Sequence, residues 1–327
     1  MPEPRIQALL EKMLAGDRLA LARLITQVEN RTPAVPTIMH AIHGRGHGAY
    51  VIGVTGPPGA GKSTLVDRLT ALLRGENATV GVVAVDPSSP FTGGAVLGDR
   101  IRMQAHTLDP GVFIRSMATR GAFGGLARTT GNVVKLLAAF GFPWILVETV
   151  GVGQTELDVM KLADTTVVTL VPESGDAVQT MKAGLLEAAD VFVVNKADRS
   201  GAPALMAELT FAVHLAYTSG GGGRRDVDWE IPVLSAEAQN NVGVAEVLAE
   251  IRRHRAALEA GGALAERRRA RRRAEFQALL TDELAATVED RLRSGALNAM
   301  LDDVAEGAID PYSAVRSILD VISWERP

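Results

Sequence analysis

Gly56, Pro57, Pro58, Gly59, Ala60, Gly61, Lys62, Ser63 and Thr64 form a complete phosphate-binding loop, and such a loop works at only one kind of corner. It must leave the carboxyl end of a buried strand and open a helix. The flanks comply: the apolar run 50–55 precedes it, and Leu65-Val66-Asp67-Arg68-Leu69 follows it. Glycines let successive backbone N–H groups turn inward around phosphate oxygens, and the positive end of the new helix faces the same anion. In this reading Lys62 reaches the β- and γ-phosphates and Ser63 holds Mg2+ through its hydroxyl. The chain is expected to bind a nucleoside triphosphate.

From Tyr50 to about Leu258, short apolar runs alternate with helical patterns, the signature of parallel β/α units. Candidate strands are 50–55, 79–85, 111–115, 143–148, 166–171, 191–195 and 231–234. They are continuous apolar runs, as when helices cover both faces of a sheet. The expected fold is an α/β three-layer sandwich of the P-loop NTPase type with a mostly parallel central sheet. Ligands of such sheets gather at the carboxyl ends of the strands, where Asp86, Glu148, Asn195 and the phosphate loop fall.

Residues 1–48 read as a helical extension. Leu9, Leu10, Met13 and Leu14 give one apolar stripe and Leu21, Leu24, Ile25 and Val28 another, with Gly16 as stop and Asp17 as N-cap between them. Residues 31–48 look loop-like around a brief apolar piece. They carry His40, His43 and His47, either a metal cluster or solvent-facing loop residues; the lack of cysteines and carboxylates among them favours the second. The nucleotide domain is assigned to 49–260, with a flexible insert at Gly220–Gly223. Residues 261–327 form a helical arm, with a long helix over 263–293 and two more near 296–305 and 311–322, the last begun by Asp310-Pro311. The arm is too short for its own core and must pack on the main domain or on a second copy. Its basic run, Arg267-Arg268-Arg269 and Arg271-Arg272-Arg273, could touch nucleic acid. A solvated face or a salt-bridged partner contact suits the acidic total better.

That total is a net charge of −4 over 327 residues, with 22% charged and 47% hydrophobic. It offers no electrostatic case for nucleic acid or an anionic membrane. The absence of cysteine excludes disulfides, thiolate metal sites and cysteine nucleophiles. No charged-then-apolar leader opens the chain and no apolar stretch is long enough to span a bilayer, so the expected location is the cytoplasm, of a bacterium in the first instance.

Which nucleotide binds is written further along. The apolar run 191–194 leads into Asn195-Lys196-Ala197-Asp198. Asp198 would accept from the guanine ring N1–H and the exocyclic amine, which adenine lacks at those edges. Asn195 would bond the other edge of the purine, and the Lys196 stem would lie along its plane. A carboxylate facing the wrong base is left buried and unpaired, which discriminates by roughly 10⁴-fold. Ser235-Ala236, after the short strand 231–234, would supply a second guanine-side loop or an ordinary one.

Two acidic strand ends complete the site. Asp86, in Asp86-Pro87-Ser88-Ser89, could bond a Mg2+-bound water, and Asp99, in a glycine-rich loop after Thr92-Gly93-Gly94, is a second metal-side candidate; both carboxylates could instead cap the next helix. Glu148 opens Glu148-Thr149-Val150-Gly151-Val152-Gly153-Gln154, in the place of a D-x-x-G switch, where Gly151 would give its N–H to the γ-phosphate. The residue after that glycine often orients the attacking water as a glutamine. Here it is Val152, so hydrolysis should be slow unless Gln154, another loop or a partner supplies that group.

Taken together, the phosphate loop, A-V-D-P-S-S at 84–89, T-G-G-x-x-L-G-D at 92–99, R-S-M-A-T-R-G at 115–121, E-T-V-G-V-G-Q at 148–154 and N-K-A-D at 195–198 resemble the MeaB/ArgK/MMAA GTPases. That family chaperones adenosylcobalamin-dependent acyl-CoA mutases, above all methylmalonyl-CoA mutase, and the resemblance covers nearly the whole chain. It implies a homodimer, joined through the arm, that binds GTP or GDP with Mg2+ and binds the mutase. There it would gate adenosylcobalamin delivery and protect or reactivate the enzyme, with hydrolysis accelerated in the complex. The family's additional switch loop is matched by 172–182, placing Gln179 and Lys182 on its polar positions, where they could couple nucleotide state to partner or simply be exposed on a helix starting near Asp176. Ala122-Phe123, where relatives often carry histidine-leucine, and the glycine insert depart from the pattern. Two other readings stay open: a kinase of an arginine/ornithine transport protein, against which the guanine motif argues, and a nickel-insertion GTPase, for which the chain has only His40, His43 and His47.

Overall fold

A computed structural model of the protein describes residues 3–86, 106, 108–118, 125–149, 161–172, 186, 189–218, 228–293 and 298–321. Seven strands, β1 (Tyr50–Thr55), β2 (Val80–Asp86), β3 (Val112–Ala118), β4 (Trp144–Glu148), β5 (Thr165–Leu170), β6 (Val191–Asn195) and β7 (Val233–Ala236), make one sheet. Their order is β3-β2-β4-β1-β5-β6-β7, and each described pairing is parallel. Parallel neighbours need crossovers, and these place helices on both faces. The flanking helices are α1 (Glu3–Leu14), α2 (Arg18–Glu29), α3 (Val35–Ala41), α4 (Lys62–Gly75), α5 (Gly125–Phe140), α6 (Ala202–Thr218) and α7 (Val244–Ala260). The result is the expected three-layer sandwich.

Side-chain alternation assigns the layers. Tyr50, Ile52 and Val54 of β1 pack with Leu65, Val66 and Leu69 of α4 and Val247, Leu248 and Ile251 of α7. Val51, between them, points the other way and joins Val83, Phe113 and Val147 under α1, α2 and α5. In β6, Phe192 and Val194 pack against Leu205 and Leu209 of α6. Each central strand thus buries both of its faces, which is why it reads as an unbroken apolar run.

The helical head behaves as its stripes indicate, with Ile6, Leu10, Met13, Leu21, Leu24 and Ile25 all buried. Asp17 caps α2, its Oδ1 accepting from Leu19 N at 2.8 Å and Ala20 N at 3.1 Å, and Gly16 takes φ +93°. Arg18 reaches the β3 edge, donating to the Pro110 carbonyl at 2.7 Å and to that of Val112. Arg115 of β3 returns the tie through Glu29, with Nε to Oε1 at 2.8 Å. Leu14, the last residue of α1, is exposed rather than part of the stripe. Residues 35–41 are helical, not loop: Pro36 sits in the first turn, where its missing N–H costs nothing, and Ile38 is fully buried.

Two further boundaries differ from expectation. Strand β3 runs on to Ala118, because Ser116, Met117 and Ala118 stay paired with Ala84, Val85 and Asp86 of β2, while the Arg115 side chain is taken up by Glu29. Strand β7 starts at Val233 and ends at Ala236; Pro232 before it has no N–H to donate and joins only through its carbonyl, which accepts from Phe192 N of β6 at 2.9 Å. Ser235-Ala236 is therefore strand, not the loop after one, and Ala236 lies in register with Asn195.

The basic run divides. Arg272 and Arg273 are exposed, as on a solvated face, whereas Arg267 and Arg268 dock at the amino-terminal end of the sheet within their own chain. Arg268 bonds both oxygens of Asp164, Nη2 to Oδ2 at 2.7 Å and Nε to Oδ1 at 3.2 Å, and donates to the His47 and Ala49 carbonyls. Asp164 Oδ2 also accepts from Val51 N of β1 at 3.0 Å. Arg267 meets Asp190 Oδ1 at 3.2 Å, and Asp190 Oδ2 accepts from Thr166 N at 2.8 Å. A buried polar line continues inward from Asp190 through His254 (3.3 Å), Thr165 (2.8 Å) and the Tyr50 hydroxyl (2.6 Å). Burial pushes the Tyr50 phenol well above its usual range, so it enters this line as a neutral hydroxyl.

The chain divides into two compact units, Met1–Arg268 and Arg269–Pro327; the division falls inside α8 (Ala263–Arg293). The second unit also holds α9 (Asn298–Ala305) and α10 (Pro311–Val321), close to the bounds expected from sequence. Asp310 caps α10, accepting from Tyr312 N and Ser313 N at 3.0 Å each. Within this unit Phe276, Leu279, Leu280, Leu301, Tyr312 and Val315 are exposed.

Candidate nucleotide-binding site

Strand β1 is central: β5, β6 and β7 follow in chain order on one side, while β4, β2 and β3 stand on the other, so the loop leaving its carboxyl end lies where the winding changes direction, the switch point of the sheet. That loop is the phosphate loop. Gly56, Gly59 and Gly61 take φ of +136°, +76° and +84°, a region in which a side chain is strained. Gly56 has a second reason to be glycine: a Cβ there would meet the Thr169 carbonyl oxygen of β5 at 2.0 Å. Gly61 precedes α4 with no side-chain cap over the helix's first turn, the arrangement that favours an anion. Pro58 and Gly59 are exposed at the rim, Pro57 and Thr64 are half-buried, and Ala60 is fully buried.

Lys62 is buried, and its Nζ donates to the Gly56 carbonyl at 2.8 Å and the Pro57 carbonyl at 3.0 Å. The ammonium thus lies folded across the loop it belongs to. Beside it, Ser63 Oγ donates to Glu148 Oε1 at 2.6 Å, with both residues buried. Register explains the meeting: Glu148, ending β4, pairs with Val54 of β1 on one side and Ala84 of β2 on the other. A hydroxyl and a carboxylate this close offer hard oxygen donors, the chemistry that suits Mg2+. Thr149 seals the corner, its N donating to Val54 O at 3.1 Å and its Oγ1 to Thr55 Oγ1 at 2.9 Å.

The guanine-type turn comes to the same edge from far along the chain. Asn195 Nδ2 donates to the Ala60 carbonyl at 2.8 Å, across 135 residues of sequence, and its Oδ1 accepts from Ala238 N at 3.0 Å. This modifies the expected role of Asn195: its amide is first a brace between the phosphate loop and the turn after β7, with one N–H left over for a base. Lys196 takes a left-handed φ of +57° and Asp198 is exposed. Ala197 N donates to Ala236 O at 3.1 Å, so both base-side turns are tied together. Sequence reasoning missed Ala238 and Arg68. Arg68 donates Nε to Ala238 O and Nη2 to Gln239 O, both at 3.2 Å. An arginine in mid-helix gives no sign in sequence of which carbonyls it will reach.

Of the remaining candidates, Asp86 ends β2, while its side chain, Asp99, Gly151, Gln154, Gln179 and Lys182 lie outside the described residues. His40, His43 and His47 are exposed, and among the described residues no three His, Cys, Asp or Glu gather closely enough to hold a metal. None of the described helices is long and apolar enough to cross a membrane.

The brace yields a prediction. A Cβ on Gly61 would meet Asn195 Nδ2 at 2.3 Å at a left-handed φ. Gly61→Ala is expected to cost about 2 kcal/mol through backbone strain and displacement of the brace. Thermal unfolding of the nucleotide-free protein measures it; an unchanged midpoint would show that Asn195 carries no such tie.

A family model described as methylmalonyl Co-A mutase-associated GTPase MeaB matches residues 21–292. The chain belongs to the MeaB family. Similar to this MeaB-family GTPase is a Pyrococcus abyssi protein, whose name assigns only a GTPase activity, at 50% identity over 317 residues, 97% of each chain. GTPase ArgK of Escherichia coli is 36% identical over 260 residues, 78% of this chain and 77% of its own. The mitochondrial methylmalonic aciduria type A homolog of Caenorhabditis elegans is 30% identical over 333 residues, 97% of this chain and 83% of its own. Among solved structures, that of an LAO/AO transport system kinase superposes with a TM-score of 0.73 at 26% identity, covering 98% of this chain and 99% of that one.

Proposed function

We propose that this MeaB-family GTPase is a chaperone of an adenosylcobalamin-dependent acyl-CoA mutase, methylmalonyl-CoA mutase before others. GTP binding and hydrolysis would gate adenosylcobalamin loading and protect or reactivate the enzyme. The single observation that carries the nucleotide part is the Asn195 brace, which brings a phosphate loop and a guanine-type turn to one sheet edge. The mutase as client rests on the family and on the names of its members.

In this reading Lys62 leaves the Gly56 and Pro57 carbonyls for the β- and γ-phosphate oxygens. Ser63 and Glu148 hold Mg2+, directly or through water, with Asp86 and Asp99 as further metal-side carboxylates. The ion would neutralise charge developing on the transferred phosphoryl group. Gly151 senses the γ-phosphate, and losing that contact releases the switch. With Val152 in the water-orienting position, hydrolysis by the chain alone is slow, and Gln154, Gln179 or Lys182, repositioned by the mutase, completes the site. The exposed apolar side chains of the second unit support a homodimer joined through the arm.

The test is GTP turnover with and without purified acyl-CoA mutases, followed by gel filtration of the mixtures. A client raises turnover and co-elutes; absence of both with every mutase tried would remove the chaperone role. The likeness to a transport system kinase raises a phosphotransferase alternative. Terminal-phosphate label arriving on an acceptor protein instead of as free phosphate would establish that alternative. Asp198 provides a separate check: Asp198→Asn is expected to shift preference from guanine to xanthine nucleotides, because the amide now donates where the carboxylate accepted. Competition between GDP and XDP reads this, and a variant still preferring GDP would remove Asp198 from base recognition.

A further inference from the structure

The phosphate loop and the base-side turns leave different strands, so something must set the distance between them. Asn195 is one link. The other is Arg68, on α4 about 9 Å along the helix axis beyond Lys62. We propose that Arg68 is a positioning residue for the nucleotide, gripping the turn after β7 so that the base-reading turns stand at the right height above the phosphate loop. The proposal rests on the nucleotide-site reading above.

The geometry closes a ring. From the phosphate loop it runs through Ala60 O to Asn195, from Asn195 Oδ1 to Ala238 N, through the turn, and back from Ala238 O and Gln239 O to Arg68. Arg68 stands on the helix that the phosphate loop itself opens. A planar guanidinium holds two successive carbonyls in one fixed orientation, whereas the rotatable ammonium of Lys, on its flexible stem, can donate to them without fixing their direction. The gripped turn is short and stiff. Residues 238–240 form a single 3₁₀ turn, Glu237 and Val242 exchange both backbone hydrogen bonds, and Gly243 takes φ +75° where a Cβ would meet Ser235 O at 2.3 Å. Through Ala236 O, which accepts from Ala197 N, movement of this turn carries the Lys196–Asp198 turn with it. Arg68 is half-buried and its fork is engaged by these carbonyls, so its effect on a ligand passes through the turns.

The consequence is selective. Loosening Arg68 should weaken recognition of the base and leave the phosphate loop as it was. Affinity and dissociation rate of a fluorescent GDP, and displacement by inorganic tripolyphosphate, are to be measured for the wild type, Arg68→Met and Arg68→Lys. Arg68→Met is expected to weaken GDP about tenfold, the scale of one charge-assisted bond, mainly through faster dissociation. Tripolyphosphate should bind as before, and Arg68→Lys should recover part of the loss. GDP affinity within twofold of wild type would overturn the proposal, as would equal loss for GDP and tripolyphosphate, which would mean a general loosening of α4. If Arg68→Met does not fold, Arg68→Lys alone gives the same comparison of GDP with tripolyphosphate. A wild-type chain that binds no GDP would overturn the nucleotide reading first, and this proposal with it.

Discussion

Lys62→Ala is expected to weaken GTP and GDP binding by about 10²-fold. Lys62 is buried and already engages two carbonyls of the phosphate loop, so its ammonium is held within the ring of backbone where phosphates would sit. A hydrogen bond to a charged group at a dry site contributes up to about 3 kcal/mol, a factor of about 10². Alanine removes that bond and also leaves the Gly56 and Pro57 carbonyls without their present donor. The first loss acts on the ligand complex and the second on the free protein, so stability should fall less than affinity does. Titration calorimetry with GDP, set beside thermal unfolding without it, separates the two. Affinity within threefold of wild type would show that the phosphates bind elsewhere.

Asp164→Ala is expected to destabilise the chain by about 3 kcal/mol, although Asp164 lies at the opposite end of the sheet from the nucleotide site. The carboxylate is 1% exposed, accepts from the Val51 backbone and holds both arms of the Arg268 fork. Burial alone would lower the pKa of Arg268; the hydrogen bond and charge of Asp164, joined by Tyr50 and Glu259, turn the shift upward. Removing one partner of a buried pair costs about 3–5 kcal/mol; Arg268 retains some solvent, which places the effect at the lower end. The unfolding midpoint should fall by about 4–5 °C. By contrast, Arg272→Ala, on an exposed residue of the same basic run, should stay within about 0.5 kcal/mol of wild type. Equal effects would mean that the run acts as one charged surface and that the docking of Arg268 contributes little.

These two residues differ in how much of their surroundings the sequence shows. Lys62 is identifiable because a phosphate loop is local: spacing, glycine content and flanking elements are consecutive in the chain. The seven strands are legible for a similar reason, since burial on both faces leaves an unbroken apolar run. Asp164, by contrast, sits between two elements with no pattern of its own. Its partner is 104 residues away, and a run of arginines looks the same whether it faces water or a buried carboxylate. Ser235-Ala236 is misplaced by two residues because the sequence shows the proline but not the partner strand whose register decides where pairing starts. Val35–Ala41 escapes notice because seven residues with a proline in the first turn lack the repeats that announce a helix.

The local features of this chain were settled by sequence: a glycine loop at a strand-to-helix corner, an Asn-Lys-Ala-Asp turn, acidic residues at strand ends and a doubly covered parallel sheet. Each depends on residues close together, whose backbone preferences and side-chain spacing act before any long-range contact forms. Tertiary structure alone decided that Ser63 meets Glu148, that Asn195 spans from Ala60 to Ala238, that Arg68 grips the turn beyond it, and that Arg267 and Arg268 turn inward. Those pairings follow from strand order and register, which bring distant residues within 3 Å or so of one another, and no periodicity along the chain encodes that distance.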